Sequence, residues 1–147
     1  MTSEQRKRVV ELAREWIGTP YHSSARRQGR ERGCGVDCVQ LIIAVYHDAG
    51  LIPDVNPGHY SPEIHLHQPD STYLTQVLRY SREIEESQVL PGDLLLFHVG
   101  KAYGHGAIIE EWPAKIIHAL VSCGVIESHG RNEGFLPRMA PRFFTID

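Results

Sequence analysis

The sequence predicts a single α+β domain in which N-terminal helices pack on a C-terminal antiparallel β-sheet. Up to about residue 85, apolar residues recur at the three- and four-residue spacing of amphipathic helices. After the Pro-Gly-Asp at 91–93, they form short apolar or alternating runs separated by Gly, Pro and Lys. Helices first and strands last is an α+β order, and no repeat, linker or low-complexity segment divides residues 1–147. We therefore predict one domain over this whole length.

The first predicted helix covers residues 3–17. Thr2 and Gln5 have the spacing of a capping box at its start, and Gly18-Thr19-Pro20 ends the pattern. The apolar residues that share one helical face are Val9, Leu12, Ala13, Trp16 and Ile17.

A second helix is predicted to begin at Cys38. Asp37 offers a capping carboxylate, and the apolar run "LIIAVYHDA" leads to Gly50 in the position of a C-terminal stop. The polar stretch before it, residues 21–36, has no period and is predicted to be a loop. A third helical pattern occupies "STYLTQVLRYSREIEE", after a proline-rich irregular stretch.

Five strands are predicted after the third helix, as successive members of an antiparallel sheet. Their sequences are "LLLFHVG", "GHGAIIEEW", "KIIHALV", "GVIES" and "RFFTI".

Composition excludes several classes of protein. A net charge of −3 with mixed signs gives no basic stripe, so nucleic acid is not an expected partner. Three cysteines are too few and odd in number for a disulfide scaffold. The charged N-terminus lacks the apolar core of a signal peptide, and no run reaches the length of a membrane span. We expect synthesis in the cytoplasm without a signal peptide.

Cys38 is the candidate nucleophile. A cysteine in the first helical turn faces unpaired backbone N–H groups and the positive end of the dipole, which predicts a lowered pKa. His105 and His118 fall on consecutive predicted strands, where one imidazole could act as base and the other orient it. His98 lies on the preceding strand, whereas His105 opens the strand that leads into the His118 strand. Taken alone, a free cysteine is more often a small buried side chain, and Cys123 is predicted to pack within a strand.

No metal or other cofactor is expected. His59, His65 and His67 are close in sequence, but no cysteine or carboxylate at a suitable spacing completes a zinc site. The basic loop residues Arg26, Arg27, Arg30 and Arg32 allow two interpretations, a solvated loop or a basic lip for substrate carboxylates.

The ordered motifs "GTPY", "VDCVQL", "LPGDLLLF", "GHGAIIEE" and "IIHA" resemble the NlpC family of papain-like cysteine peptidases, which cut bacterial cell-wall peptides. The resemblance implies a papain-like fold with Cys38 as nucleophile, His105 as base and His118 as its orienter. It also implies that Tyr21 and Asp37 lie beside the thiol, where they would serve the substrate and the oxyanion. The implied substrate is a peptidoglycan stem peptide, cut between D-glutamate and the diamino acid.

The sequence departs from the family pattern after the nucleophile, where Val39-Gln40 replaces Ser-Gly. The long basic loop and "HYSPE" at 59–63 resemble the phage and gene-transfer-particle branch, which implies phage tail proteins as partners and delivery in a particle. Two alternatives remain open. One is a cytoplasmic thiol amidase, acyltransferase or wall-peptide recycling enzyme, and the other is a non-catalytic tail or wall-binding module.

Overall fold

The computed structural model describes residues 1–58, 72–99, 102–131 and 141–147. The helices in these ranges are α1 (Ser3–Glu15), α2 (Cys38–Asp48) and α3 (Thr72–Tyr80), with a 3₁₀ turn at Glu86–Gln88. The strands are β1 (Arg26–Arg27), β2 (Gly35–Val36), β3 (Ser81–Ile84), β4 (Leu94–Val99), β5 (Ala102–Glu111), β6 (Lys115–Leu120), β7 (Gly124–Ser128) and β8 (Pro141–Ile146).

Six strands form one antiparallel sheet in the order β3-β8-β4-β5-β6-β7. Successive side chains of a strand point to opposite faces, and both faces of this sheet are buried. Leu94 and Leu96 of β4 pack in the cluster that holds α1 and α2, whereas Leu95 and Phe97 pack in a second cluster. The predicted α+β class, with helices packed on a C-terminal antiparallel sheet, is confirmed.

A buried ion pair attaches α1 to the start of β4. The Thr2–Gln5 capping box forms as predicted, and the helix it starts carries Arg6, whose guanidinium donates to Asp93 at 2.7 Å. The Asp93 side chain is fully buried and also accepts the backbone N–H of Leu90 at 2.8 Å. Because a buried charge needs partners, the aspartate of the Pro-Gly-Asp motif has a structural function here.

Both ends of α2 match the sequence prediction. Asp37 is the N-cap, and its Oδ1 accepts the backbone N–H of Gln40 at 2.9 Å. At the other end Gly50 has a φ of 72°, and its N–H donates to the carbonyl of His47 at 2.8 Å. The N–H of Leu51 donates to the carbonyl of Tyr46 at 3.0 Å, which completes a Schellman motif.

Two helix ends and one loop differ from the sequence prediction. The first helix ends at Glu15 rather than Ile17. The third ends at Tyr80, and residues 81–84 form β3, because the edge of β8 offers backbone partners to this segment. Within the predicted loop, Arg26–Arg27 pairs with Gly35–Val36 to form a small hairpin directly before the second helix.

Residues 59, 65 and 67, the predicted loop histidines, lie outside the described part of the chain. Within the described residues, every helix is too short or too polar to cross a membrane.

Candidate active site

The Cys38 thiol lies where α2 meets the sheet. Cys38 is the first residue of the helix, and 9% of its surface is exposed. Its sulfur lies 3.9 Å from the carbonyl oxygen of Gly104 and also receives the backbone N–H of Gly106. These two glycines flank His105, so the thiol lies against the segment of β5 that carries the candidate base.

The backbone around His105 is irregular. Phe97 of β4 pairs with His105, but the next pair is His98 with Tyr103, so Gly104 is an extra residue in β5. Such a bulge commonly re-aims side chains beside active sites. The imidazole of His105 stacks on the Phe97 ring with centroids 6.0 Å apart and 19° between planes. His105 is largely buried, at 9% exposure.

His105 and His118 contact each other directly, as the sequence pattern suggested. Nε2 of His105 lies 2.9 Å from Nδ1 of His118, within hydrogen-bonding distance. Strands β5 and β6 pair Ile108 with Ile117, so continuing the antiparallel register by one residue places His118 opposite Ala107. His105 is two residues from Ala107, and the two histidines are therefore diagonal neighbours on one face.

A fourth polar residue, Ser128, extends this arrangement and was not predicted from the sequence. Its Oγ lies 2.7 Å from Nε2 of His118, and both residues are buried. Ser128 ends β7, diagonally across from His118, because the ladder pairs His118 with Ile126 and Ser128 with Ile116. Three neighbouring strands thus each contribute one side chain to the hydrogen-bonded series His105–His118–Ser128.

The electrostatic environment of Cys38 contradicts the predicted lowering of its pKa. The pKa of the Cys38 thiol is raised to about 12, first by burial and then by the neighbouring Asp37 carboxylate. The backbone N–H groups of Cys38, Val39 and Gly106 act in the opposite direction but do not compensate. The helix terminus provides the expected donors, but desolvation of a buried thiolate outweighs them.

Tyr21 and Asp37 both lie near the thiol. Burial raises the pKa of Tyr21 to about 12, and the charges of Cys38 and Asp37 contribute in that order. Tyr21 is held by a parallel bridge to Val36, two residues before Cys38. Asp37 is 2% exposed and uses its carboxylate on backbone N–H groups.

The comparison of sequence families is decisive for the identity of this fold. The family model described as "NlpC/P60 family" matches residues 18–141, most of the chain. The chain belongs to the NlpC/P60 family. The comparison with curated protein sequences gives no match.

Two solved structures have the same fold as this NlpC/P60 chain. One is the NlpC/p60 domain of peptidoglycan hydrolase SagA, with a TM-score of 0.60 and 21% identity over 97% of each chain. The other is an NlpC/P60 family protein from Bacillus cereus ATCC 10987, with a TM-score of 0.64 and 18% identity. That alignment covers 93% of this chain and 39% of the Bacillus protein.

The remaining cysteines of this NlpC/P60 chain lie outside the arrangement just described. Cys123 is exposed in the turn between β6 and β7, so the prediction that it packs within a strand is wrong. Cys34 is partly buried, and its sulfur lies beside Gly29. Among the described residues, no three His, Cys, Asp or Glu side chains cluster as metal ligands.

The basic loop of this NlpC/P60 chain is close to Cys38 in sequence. The β1–β2 hairpin pairs Arg26 with Val36, two residues before Cys38. Arg26 forms an ion pair with Asp54 at 2.8 Å, whereas the Arg27 side chain is exposed. The structure therefore gives Arg26 a structural partner.

Proposed function

We propose that this domain is a cysteine peptidase that hydrolyses an amide bond in a peptidoglycan stem peptide. The observation that supports it most directly is the contact of His118 with His105, which lies on the strand that the Cys38 sulfur also contacts. A thiol, a base and a residue that orients the base are the groups that acyl transfer through a covalent intermediate requires. Membership of the NlpC/P60 family and the fold shared with a peptidoglycan hydrolase support the choice of substrate.

In the proposed reaction, His105 removes the proton of Cys38 as the sulfur attacks the amide carbonyl. With Nε2 of His105 directed at His118, Nδ1 is the nitrogen that takes this proton. The base is necessary because burial holds the pKa of the thiol at about 12. The imidazolium then protonates the leaving amine as the C–N bond breaks. Water adds to the acyl-enzyme, loses its proton to His105, and releases the acid and the thiol.

The negative oxygen of the tetrahedral intermediate needs donors at the start of α2. The backbone N–H of Cys38, in the first turn of α2, is one proposed donor, because the positive end of the helix dipole favours negative charge there. The Tyr21 hydroxyl is a second proposed donor, because it lies close enough to the thiol for the two groups to interact electrostatically. Asp37 supports both indirectly by capping the helix.

For the bond, we propose the link between D-glutamate and the diamino acid, as the family resemblance implies. For the setting, we propose a phage or phage-like particle with tail proteins as partners, supported by the long basic loop and "HYSPE". A single catalytic domain over residues 1–147 is part of the same proposal. Proteomics of purified particles from the source tests the setting. Absence from particles, with cleavage of free stem peptides alone, would favour the cytoplasmic recycling enzyme.

Digestion of purified sacculi tests the activity. The wild-type protein is expected to release muropeptides that mass spectrometry identifies by a new free carboxyl and a new amine. Cys38→Ala should release none, while Cys123→Ala, at an exposed turn, should act like the wild type. Binding to sacculi without release by either protein would favour a wall-binding module. Release of small acyl groups without wall cleavage would favour an amidase or acyltransferase.

A further inference from the structure

His118 is buried between two polar partners. Its side chain is fully buried, with Nδ1 2.9 Å from His105 and Nε2 2.7 Å from Ser128. Burial lowers the pKa of His118 to about 4, so the ring is neutral at neutral pH. A neutral imidazole carries one N–H and one acceptor nitrogen. Which nitrogen holds the hydrogen therefore determines what His118 offers to His105.

Only one tautomer of His118 suits a base at position 105. For Nδ1 of His105 to accept the thiol proton, its Nε2 must carry a hydrogen, which donates to Nδ1 of His118. The hydrogen of His118 is then on Nε2, where Ser128 Oγ is the acceptor within reach. In the other tautomer, His118 donates from Nδ1, Nε2 of His105 becomes an acceptor, and Nδ1 of His105 already carries a hydrogen.

We propose that Ser128 is a positioning residue, whose hydroxyl accepts the Nε2 hydrogen of His118 and so keeps Nδ1 of His118 as the acceptor for His105. The hydroxyl could also donate to Nε2 in the other tautomer, but removing it leaves a buried N–H without an acceptor only in the tautomer that suits His105, so its loss would favour the other one. The choice of tautomer and its consequence for turnover rest on the proposed function, whereas the contacts of His118 with His105 and Ser128 do not.

The position of Ser128 is fixed by more than its own strand pairing. The N–H of Gly18 donates to the carbonyl of Val125 at 3.0 Å, and the N–H of Val125 donates to Thr19 at 2.9 Å. A Cβ at Gly124 would collide with the Thr19 carbonyl, so the close approach requires glycine there. The outer edge of β7 is thus hydrogen-bonded at Val125 to the segment that leads to Tyr21, in the same short strand that Ser128 ends.

The first test measures the tautomer directly by nitrogen-15 NMR of the histidine-labelled full chain. The His118 resonances are assigned by their loss in His118→Asn. In the wild type, Nε2 should carry the hydrogen. In Ser128→Ala, a large fraction of the molecules should carry the His118 hydrogen on Nδ1. Ser128→Thr should keep the wild-type pattern, and so should the control Ser122→Ala in an exposed turn. Hydrogen on Nδ1 in the wild type, or an unchanged pattern in Ser128→Ala, would overturn the proposal.

The second test measures turnover of the stem peptide. Ser128→Ala should lower kcat about tenfold, equivalent to roughly 1.4 kcal/mol, with little change in KM, because the base and not the substrate contact is affected. Ser128→Thr should restore most of the rate. Equal losses in the two variants would contradict the role of the hydroxyl. If the wild type cleaves nothing, the proposed function fails, while the NMR measurement still decides the hydrogen-bond role of Ser128.

Discussion

The backbone N–H of Ser24 donates to Oδ2 of Asp37 at 2.6 Å, which attaches the loop before α2 to the first turn of that helix. The other carboxylate oxygen accepts the N–H of Gln40, so one side chain both caps the helix and holds the loop. Ser24 has a φ of 60°, a left-handed conformation that costs about 1–2 kcal/mol in a residue other than glycine. Asp37 thus stabilises a strained backbone beside the thiol.

Replacing Asp37 by Ala is expected to lower the free energy of unfolding by about 2 kcal/mol, the sum of a lost cap and an unsatisfied N–H. Asp37→Asn should lose less, since its amide oxygen can still accept one hydrogen bond. Urea denaturation measures both. Asp48→Ala, at the exposed last position of the same helix, is the control. An equal loss from Asp48→Ala would show that the capping contacts are not responsible.

Cys123 is expected to react with limiting iodoacetamide before Cys38 at pH 7. Cys123 is exposed, whereas Cys38 is buried with a pKa raised to about 12. Peptide mapping by mass spectrometry after short labelling measures the order. This expectation reverses the one from sequence, in which the helix terminus lowers the pKa of Cys38. Faster labelling of Cys38 would show that its thiolate forms before substrate binds.

The buried His118 should make the protein less stable in mild acid. In the unfolded chain this imidazole takes up a proton near pH 6.5, but in the folded protein only near pH 4. The unfolded state therefore binds more protons between these values, and the free energy of unfolding falls as the pH drops through this window, by about 3 kcal/mol. Urea titrations of the wild type and His118→Asn at several pH values isolate the effect. Parallel pH dependences in the two proteins would contradict it.

His105→Ala is expected to abolish turnover, while His98→Ala keeps most of it, because His105 carries the contact to His118. At position 118, Asn or Gln should retain more activity than Ala, since an amide oxygen can still accept from His105. Rates on a stem peptide, with circular dichroism to confirm folding, measure this. Loss in His98→Ala with activity in His105→Ala would assign the base to the other strand.

Removing the buried ion pair should affect stability and leave the chemistry unchanged. Arg6→Ala leaves the fully buried Asp93 without its charged partner and should cost about 3–5 kcal/mol. Lys7→Ala, which removes an exposed pair with Glu11 at 3.8 Å, should cost under about 0.5 kcal/mol. Urea denaturation compares the two, and kcat of the folded fraction should not change. Similar losses in the two variants would contradict the structural role of this pair.

Local signals were enough to predict much of the fold. The capping residues Thr2 and Asp37 and the stop at Gly50 act within a few residues, so their patterns predicted both ends of α2 and the start of α1. The segment 81–84 was misassigned because its partner, β8, is distant in the sequence. Its polar residues fit a helix end as well as an edge strand, and only the pairing decides between them.

In the candidate site, too, local signals predicted some features, whereas those that depend on distant contacts were not predicted. Cys38, His105 and His118 could be selected because their residue types and strand positions suggest chemistry. Ser128 carries no such signal, since a serine ending a strand is ordinary and its contact depends on the register of β6 with β7. The pKa of Cys38 was misjudged because the number of atoms that cover a thiol is a property of packing, which no local motif reveals.

The diagonal arrangement of His105, His118 and Ser128 also sets when a peptidase of this kind could first become active. Each member comes from a different strand, and a one-residue slip in any of these strands turns its side chain to the opposite face. Cys38 is synthesised well before β7. A nascent chain that ends before β7 therefore contains the thiol but lacks Ser128, the partner of His118. On the proposed mechanism, hydrolysis therefore requires that β5, β6 and β7 be paired, which is possible only after all three strands have been synthesised.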